Sequence, residues 1–188
     1  MSIGGIIVLN ANERFPERFE DLVLCDTQCI ADTAAVKEKR LNTILDIESD
    51  GVQKFNESFV ESVFHPESLT KKKGLVKNLS KVVFANSPQI ISQGLLALAG
   101  RTETCTTLGA VEVPTLIICG REDAVTPLAQ SEKMHKSIKG SILKIIDNAG
   151  HVSNLEQPQE FNQYLGDFLG TLSGLKVEEM IESQKVEK

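Results

Sequence analysis

Apolar residues along this chain fall into two kinds of run. Three runs are short and nearly continuous: Leu22-Val23-Leu24-Cys25, residues 115–119 and residues 141–146. Runs of that length bounded by polar turns predict strands covered on both faces. The other runs recur at helical spacing. Residues 3–14 (IGGIIVLNANER) predict a helix stopped by Pro16. Its first turns are apolar on every side, which predicts a buried helix. Between the first two strands the spacing predicts helices over 34–45, 52–64, 69–84 and 88–99. Pro66, Gly74 and Pro88 fall at or near their edges. In the second of these, Phe55, Phe59, Val60 and Val63 share one face; in the fourth, Ile90, Ile91, Leu95, Leu96, Leu98 and Ala99 form a broad apolar surface.

Residues 101–112 read as a polar connector back to the strands. Thr126-Pro127 then opens a helix over 128–138, with the threonine as its cap and the proline in its first turn. A closing helix over about 158–170 carries Phe161, Leu165, Phe168 and Leu169 as its stripe. From 173 the chain is a charged tail, which Leu175, Met180 and Ile181 allow to extend the helix. Strands separated by helical segments predict an α/β class with about three parallel strands.

Composition narrows the function classes. The 188 residues are 41% hydrophobic and 24% charged, a globular balance. The net charge of −6, with no basic block, argues against a nucleic-acid partner. No apolar run approaches the ~20 residues that span a bilayer, so no membrane partner is expected. No secretory signal is read. Cys25, Cys29, Cys105 and Cys119 have no ligand-like spacing. They are read as reduced thiols of a cytoplasmic protein, and no metal or cofactor is expected.

Two polar turns carry the chemistry. The second strand runs into Gly-Arg-Glu-Asp, presenting Asp123; the third runs into Asn-Ala-Gly-His, presenting His151. A carboxylate and an imidazole at the ends of consecutive strands can hold a general base in one orientation. The chain opens Met-Ser-Ile-Gly-Gly, so Ser2 has the second half of a Gly-x-Ser-x-Gly elbow. At the mouth of helix 3–14 it meets the positive end of the helix dipole. Taken alone, Ser2 would be a helix cap. Asp26, at the end of the first strand, is a second candidate acid. His65 reads as a boundary histidine and His135 as part of a solvated helix.

The order Ser2, Asp123, His151, together with Pro16-Glu17-Arg18 followed by Leu22 to Thr27, resembles the α/β-hydrolase superfamily over about residues 1–170. The wording is most similar to carboxylic-ester and enol-lactone hydrolases. The resemblance implies a partial α/β-hydrolase sheet with a four-helix cap insert. It divides the chain into a nucleophile helix and strand (1–27), a helical cap (28–100), a core with the acid and histidine loops (101–172) and a charged tail (173–188). It implies that Ser2 attacks an ester or lactone, His151 moves the proton, Asp123 orients the imidazole and the Ile3 N–H binds the oxyanion. The superfamily places further strands, and the first glycine of the elbow, before the serine. The expectation is therefore a hydrolase lacking its amino-terminal strands, through truncation, a misplaced start or a deliberate fragment, of low activity by itself and self-associating through the bare edge of its first strand. The alternative is a non-catalytic remnant or interaction module that keeps the cap and half the sheet.

Overall fold

The computed structural model describes the backbone of residues 1–186 and the side chains of residues 1–174. Strands β1 (Leu22–Cys25), β2 (Thr115–Gly120) and β3 (Ile142–Ile146) form one parallel sheet in the order β1-β2-β3. Leu22 pairs with Thr115 and Cys25 with Ile118, while Leu116 pairs with Ile142 and Gly120 with Ile146. Every residue of β2 is buried, as a central strand covered on both faces requires.

Alternation along β2 divides the core. Ile117 joins Leu22 and Leu24 on one face, packed by Leu9 of helix α1 (Ile3–Arg14) and by Met134 and Ile138 at the end of α7 (Leu128–Ser137). Leu116 and Ile118 face the other way, onto Ile146, Ala149 and Phe168 of α9 (Pro158–Val186). Leu24, Ile117 and Ile118 are wholly buried. Burial of such a side chain stabilises the fold by roughly 1.5–3 kcal/mol.

Between β1 and β2 lie α2 (Ala34–Asp50), α3 (Gln53–Val63), α4 (Pro66–Lys71), α5 (Lys73–Phe84) and α6 (Pro88–Gly100). The Thr33 hydroxyl caps α2 by accepting from Val36 N, and the Ser87 hydroxyl caps α6 by accepting from Ile90 N. Ile44 and Ile47 of α2 pack on Leu95 of α6. Val60 and Val63 of α3, with Phe64, pack on Leu75, Val76, Leu79 and Val83 of α5. That second cluster includes Val152, next to His151, so the insert is anchored to the histidine turn. Its neck is tied as well. The Asp32 carboxylate, its side chain 3% exposed, takes Arg40 at 2.6 Å and Arg101 at 2.7 Å, and Cys29 and Cys105 form a disulfide with Cα atoms 4.9 Å apart.

Several expectations need correction. Helix α1 is not buried all round: Gly5, Leu9 and Asn12 face the core, while Ile3 and Ile7 are 40% and 61% exposed. Its neighbours cover one side only, which an all-apolar pattern cannot reveal. The segment 69–84 is two helices, and the insert has five rather than four. Pro66 starts α4 in its own right, and Lys72 leaves the helical region at φ −112°, ψ 44°. Helix α2 continues past 45 to Asp50. Cys29 and Cys105 are oxidised, so the reduced-thiol reading holds only for Cys25 and Cys119. Cys29 and Cys105 lie 76 residues apart, and sequence spacing gives no sign that they meet. The closing helix continues past 170 to Val186; the side chains of Leu175, Met180 and Ile181 lie outside the described residues. No single helix among the described residues is long and apolar enough to cross a membrane; α5 and α6 pass that test only together, across a 92° bend.

Candidate active site

Ser2 sits between the end of β1 and the start of α1, in a conformation that L-residues rarely adopt (φ 48°, ψ −123°). Local strain of this kind persists only where the surroundings over-determine it. Here Ser2 N donates to the carbonyls of Cys25 (3.0 Å) and Asp26 (3.1 Å). The Thr27 hydroxyl donates to Ser2 O at 2.7 Å. Gly5 lets the first turn of α1 lie on Thr27, because a Cβ at Gly5 would stand 2.5 Å from Thr27 Oγ1. The Ser2 hydroxyl makes no capping bond; its Oγ lies 2.8 Å from His151 Nε2. The Ile3 N–H, first in α1, has no helical carbonyl to bond.

His151 occupies the turn between β3 and the short helix α8 (Ser153–Glu156), 3% exposed. Its Nδ1 lies 2.8 Å from Asp123 Oδ2. A carboxylate on Nδ1 places the ring proton there and leaves the Nε2 lone pair facing the Ser2 hydroxyl. The turn is held by two carboxylates. Glu156 Oε2 accepts from Gly150 N at 2.6 Å, and Glu122 Oε2 accepts from Ala149 N at 3.2 Å. Glu156 Oε1 also accepts from His65 N at 2.9 Å, joining the turn to the end of α3. Gly150 permits that approach, since a Cβ there would stand 2.7 Å from Val63 O.

Asp123 is buried, and each of its oxygens has partners. Oδ1 accepts from the N–H groups of Val125 and Thr126, both at 2.8 Å. Oδ2 accepts from the Thr126 hydroxyl at 2.7 Å as well as from His151. Burial alone would raise the Asp123 pKa. The hydrogen bond and charge of His151, with the bonds from Thr126, outweigh it and hold the carboxyl below its ordinary value. Thr126 is therefore a partner of Asp123, not the cap of α7; the cap position falls to Pro127.

Asp26 does not contact the imidazole. It is fully buried, and its oxygens accept from Gly120 N at 2.9 Å and from the Ser153 hydroxyl at 2.7 Å. Burial, only partly offset by these bonds, pushes its pKa up to about 6. His65 Nδ1 accepts from Glu67 N at the start of α4 while its Nε2 lies 4.0 Å from Glu122 Oε2, and His135 Nδ1 lies 2.9 Å from Ser141 Oγ; neither ring contacts Ser2, Asp123 or His151. Of the five other contributors, Thr27, Glu122, Thr126, Ser153 and Glu156, only Thr126 carried a sequence signal, and that signal pointed to a cap.

A cleft of about 630 Å³ lies between α2, α3 and the residues after Asp123. Ile47, Phe55, Leu95 and Val125 give it an apolar wall, and Lys39 and Asp46 stand among its polar groups.

Residues 1–158 match the alpha/beta hydrolase fold family. The chain is 26% identical over 162 residues to 3-oxoadipate enol-lactonase 2 of Acinetobacter baylyi, covering 86% of this chain and 59% of that protein. Among solved structures it superposes on a thermophilic esterase from Thermogutta terrifontis with a TM-score of 0.86. That match is 24% identical, covers 92% of this chain and 63% of the esterase, and is a likeness of fold. A hydrolase from Pseudomonas aeruginosa gives a TM-score of 0.82 at 29% identity, over 90% of this chain and 63% of the other. The chain thus spans about three-fifths of the length of these relatives.

Proposed function

Because the chain belongs to the alpha/beta hydrolase fold family, we propose that it carries the serine, acid and histidine of a hydrolase acting on a carboxylic ester or lactone. The observation that carries this reading is the unbroken relay of 2.8 Å contacts from Ser2 Oγ through His151 to Asp123. It begins at a strained serine on the first turn of a helix. The enol-lactonase name of the Acinetobacter baylyi relative supports the substrate class.

In the proposed reaction, Ser2 Oγ attacks the acyl carbonyl carbon while His151 Nε2 takes the hydroxyl proton. The new C–O bond pushes the carbonyl electrons onto oxygen. The Ile3 N–H and the positive end of α1 stabilise that oxyanion. Collapse expels the alcohol or enol oxygen, which leaves with the proton from His151, and Ser2 is left acylated. Water then attacks the acyl-enzyme with His151 as base, releasing the acid and restoring Ser2. Asp123 remains ionised throughout and stabilises the imidazolium. The insert roofs the site and limits water.

The test is covalent labelling by a fluorophosphonate, read by mass spectrometry, with turnover of an activated ester measured alongside. The expected result is one adduct on Ser2, lost in Ser2→Ala and His151→Ala. Labelling or turnover that survives Ser2→Ala would overturn the reading.

A further inference from the structure

We propose that Asp26 is a positioning residue: a second buried carboxylate that sets the mutual placement of the segments bearing Ser2, Asp123 and His151. This rests on the reading of those three residues as the reacting set.

The inference comes from where the bonds of Asp26 go. Its main-chain carbonyl accepts the N–H of Ser2 at 3.1 Å. Its own N–H donates to Ile118 O at 2.9 Å, which locks it to β2. Its Oδ1 accepts from Gly120 N at 2.9 Å, and the carbonyl of that same Gly120 accepts from Asp123 N at 3.3 Å. Its Oδ2 accepts from Ser153 Oγ at 2.7 Å, two residues after His151. One residue thus touches each of the three segments, none of which it needs for its own strand. Asp26 is fully buried and sits at φ 44°. A buried carboxylate in left-handed backbone is costly on both counts. Glycine would relieve both costs, and what the acid supplies in return is its two bonds, to Gly120 N and to the Ser153 hydroxyl. The arrangement makes sense as a device that fixes a turn. Among the described contacts, Ser153 is the only side chain of α8 that reaches the end of β1, so the link controls how far the His151 turn stands from Ser2.

The link can be read without turnover. A proton held between His151 Nδ1 and Asp123 Oδ2 gives a far-downfield proton resonance when its exchange with water is slow. The experiment records that signal in the full chain, with the ring signal of His135, which bonds Ser141 away from the turn, as a reporter of folding. Two variants remove the link by different means. Asp26→Gly deletes the carboxylate and suits φ 44°; Ser153→Ala deletes the hydroxyl. Asp26→Asn is the conservative variant, because its amide can keep one bond to Gly120 and one to Ser153. The expected result is loss of the downfield signal in Asp26→Gly and Ser153→Ala, with His135 unmoved, and its return in Asp26→Asn. A signal unchanged in Ser153→Ala would overturn the proposal, and that variant alone decides if Asp26→Gly disturbs His135. Failure of the underlying reading has a different signature. A signal that survives Asp123→Asn would show that Asp123 does not hold the imidazole proton, and absence of the signal from the native chain would overturn both.

Discussion

His151 Nε2 stands 2.8 Å from Ser2 Oγ, across 149 residues of chain. The contact joins a turn after β3 to the start of α1. The two segments are far apart in the chain, and the sheet between them sets their distance.

The two buried acids should separate under substitution. Asp123→Asn replaces the acceptor of the His151 Nδ1 proton and favours the wrong tautomer. In a measured serine hydrolase this kind of change costs about 10⁴ in turnover. Asp26→Asn leaves Asp123 on the ring and should cost far less. Ester turnover, or the rate of fluorophosphonate labelling, ranks the two; a larger loss at Asp26 would move the acid there.

Asp26 should also shape stability against pH. Its folded-state pKa is raised from 3.8 to about 6. The folded protein therefore binds this proton more tightly than the unfolded chain. The group's favourable contribution is full below the unfolded value and is lost as pH rises through the folded one. Asp26→Asn keeps the site neutral, so its stability relative to the native chain should rise between pH 4 and pH 6, by at most about 3 kcal/mol. Urea unfolding midpoints across that interval check the trend, and a flat difference would contradict it.

Glu156→Gln should loosen the histidine turn from the insert. Both carboxylate oxygens accept main-chain N–H groups, from His65 and Gly150. An amide keeps one acceptor and turns a donor toward the other N–H. The expected cost is about 1–3 kcal/mol, with faster amide exchange at Gly150 and His65. Exchange unaltered at both would show that the pin is dispensable.

Reduction of the Cys29–Cys105 bond should destabilise the fold. The bond closes the neck of the insert over a separation of 76 residues. Chain-entropy arguments put the loss at about 4 kcal/mol for a loop of that size. Thermal unfolding of the Cys29→Ser, Cys105→Ser double variant measures it. The ion pairs of Asp32 with Arg40 and Arg101 hold the same neck, so the sheet should survive the loss.

The outer edge of β1 should promote association. Among the described residues β1 pairs with β2 alone in the sheet; on its outer side the Cys25 carbonyl takes Ser2 N, and the apolar Leu22–Val23 edge has no strand partner. Sedimentation over a wide concentration range should show a mass that rises with concentration. A constant monomer mass would contradict this.

The sequence by itself determined the three strands, their order and most of the helices, but neither the break between α4 and α5 nor α8. Strand positions followed from short apolar runs, and the helices of the insert from 3.6-residue spacing, because periodicity is a local property of the chain. The turns presenting Asp123 and His151 were legible for the same reason: each follows a strand that announces itself. Ser2 was legible through half a motif. Local pattern failed where a neighbour decided the outcome. The all-apolar start of α1 did not show that Ile3 and Ile7 face solvent. Thr126 reads as a cap and bonds Asp123 instead. Tertiary structure alone decided the rest: that Cys29 meets Cys105, that Glu156 reaches across to the end of α3, and that Asp26 accepts from Gly120 and Ser153 and not from His151. Each of these is a contact between segments far apart in the chain. The partner is chosen by how the parallel sheet and its crossovers close in space, and no spacing within either segment carries that information.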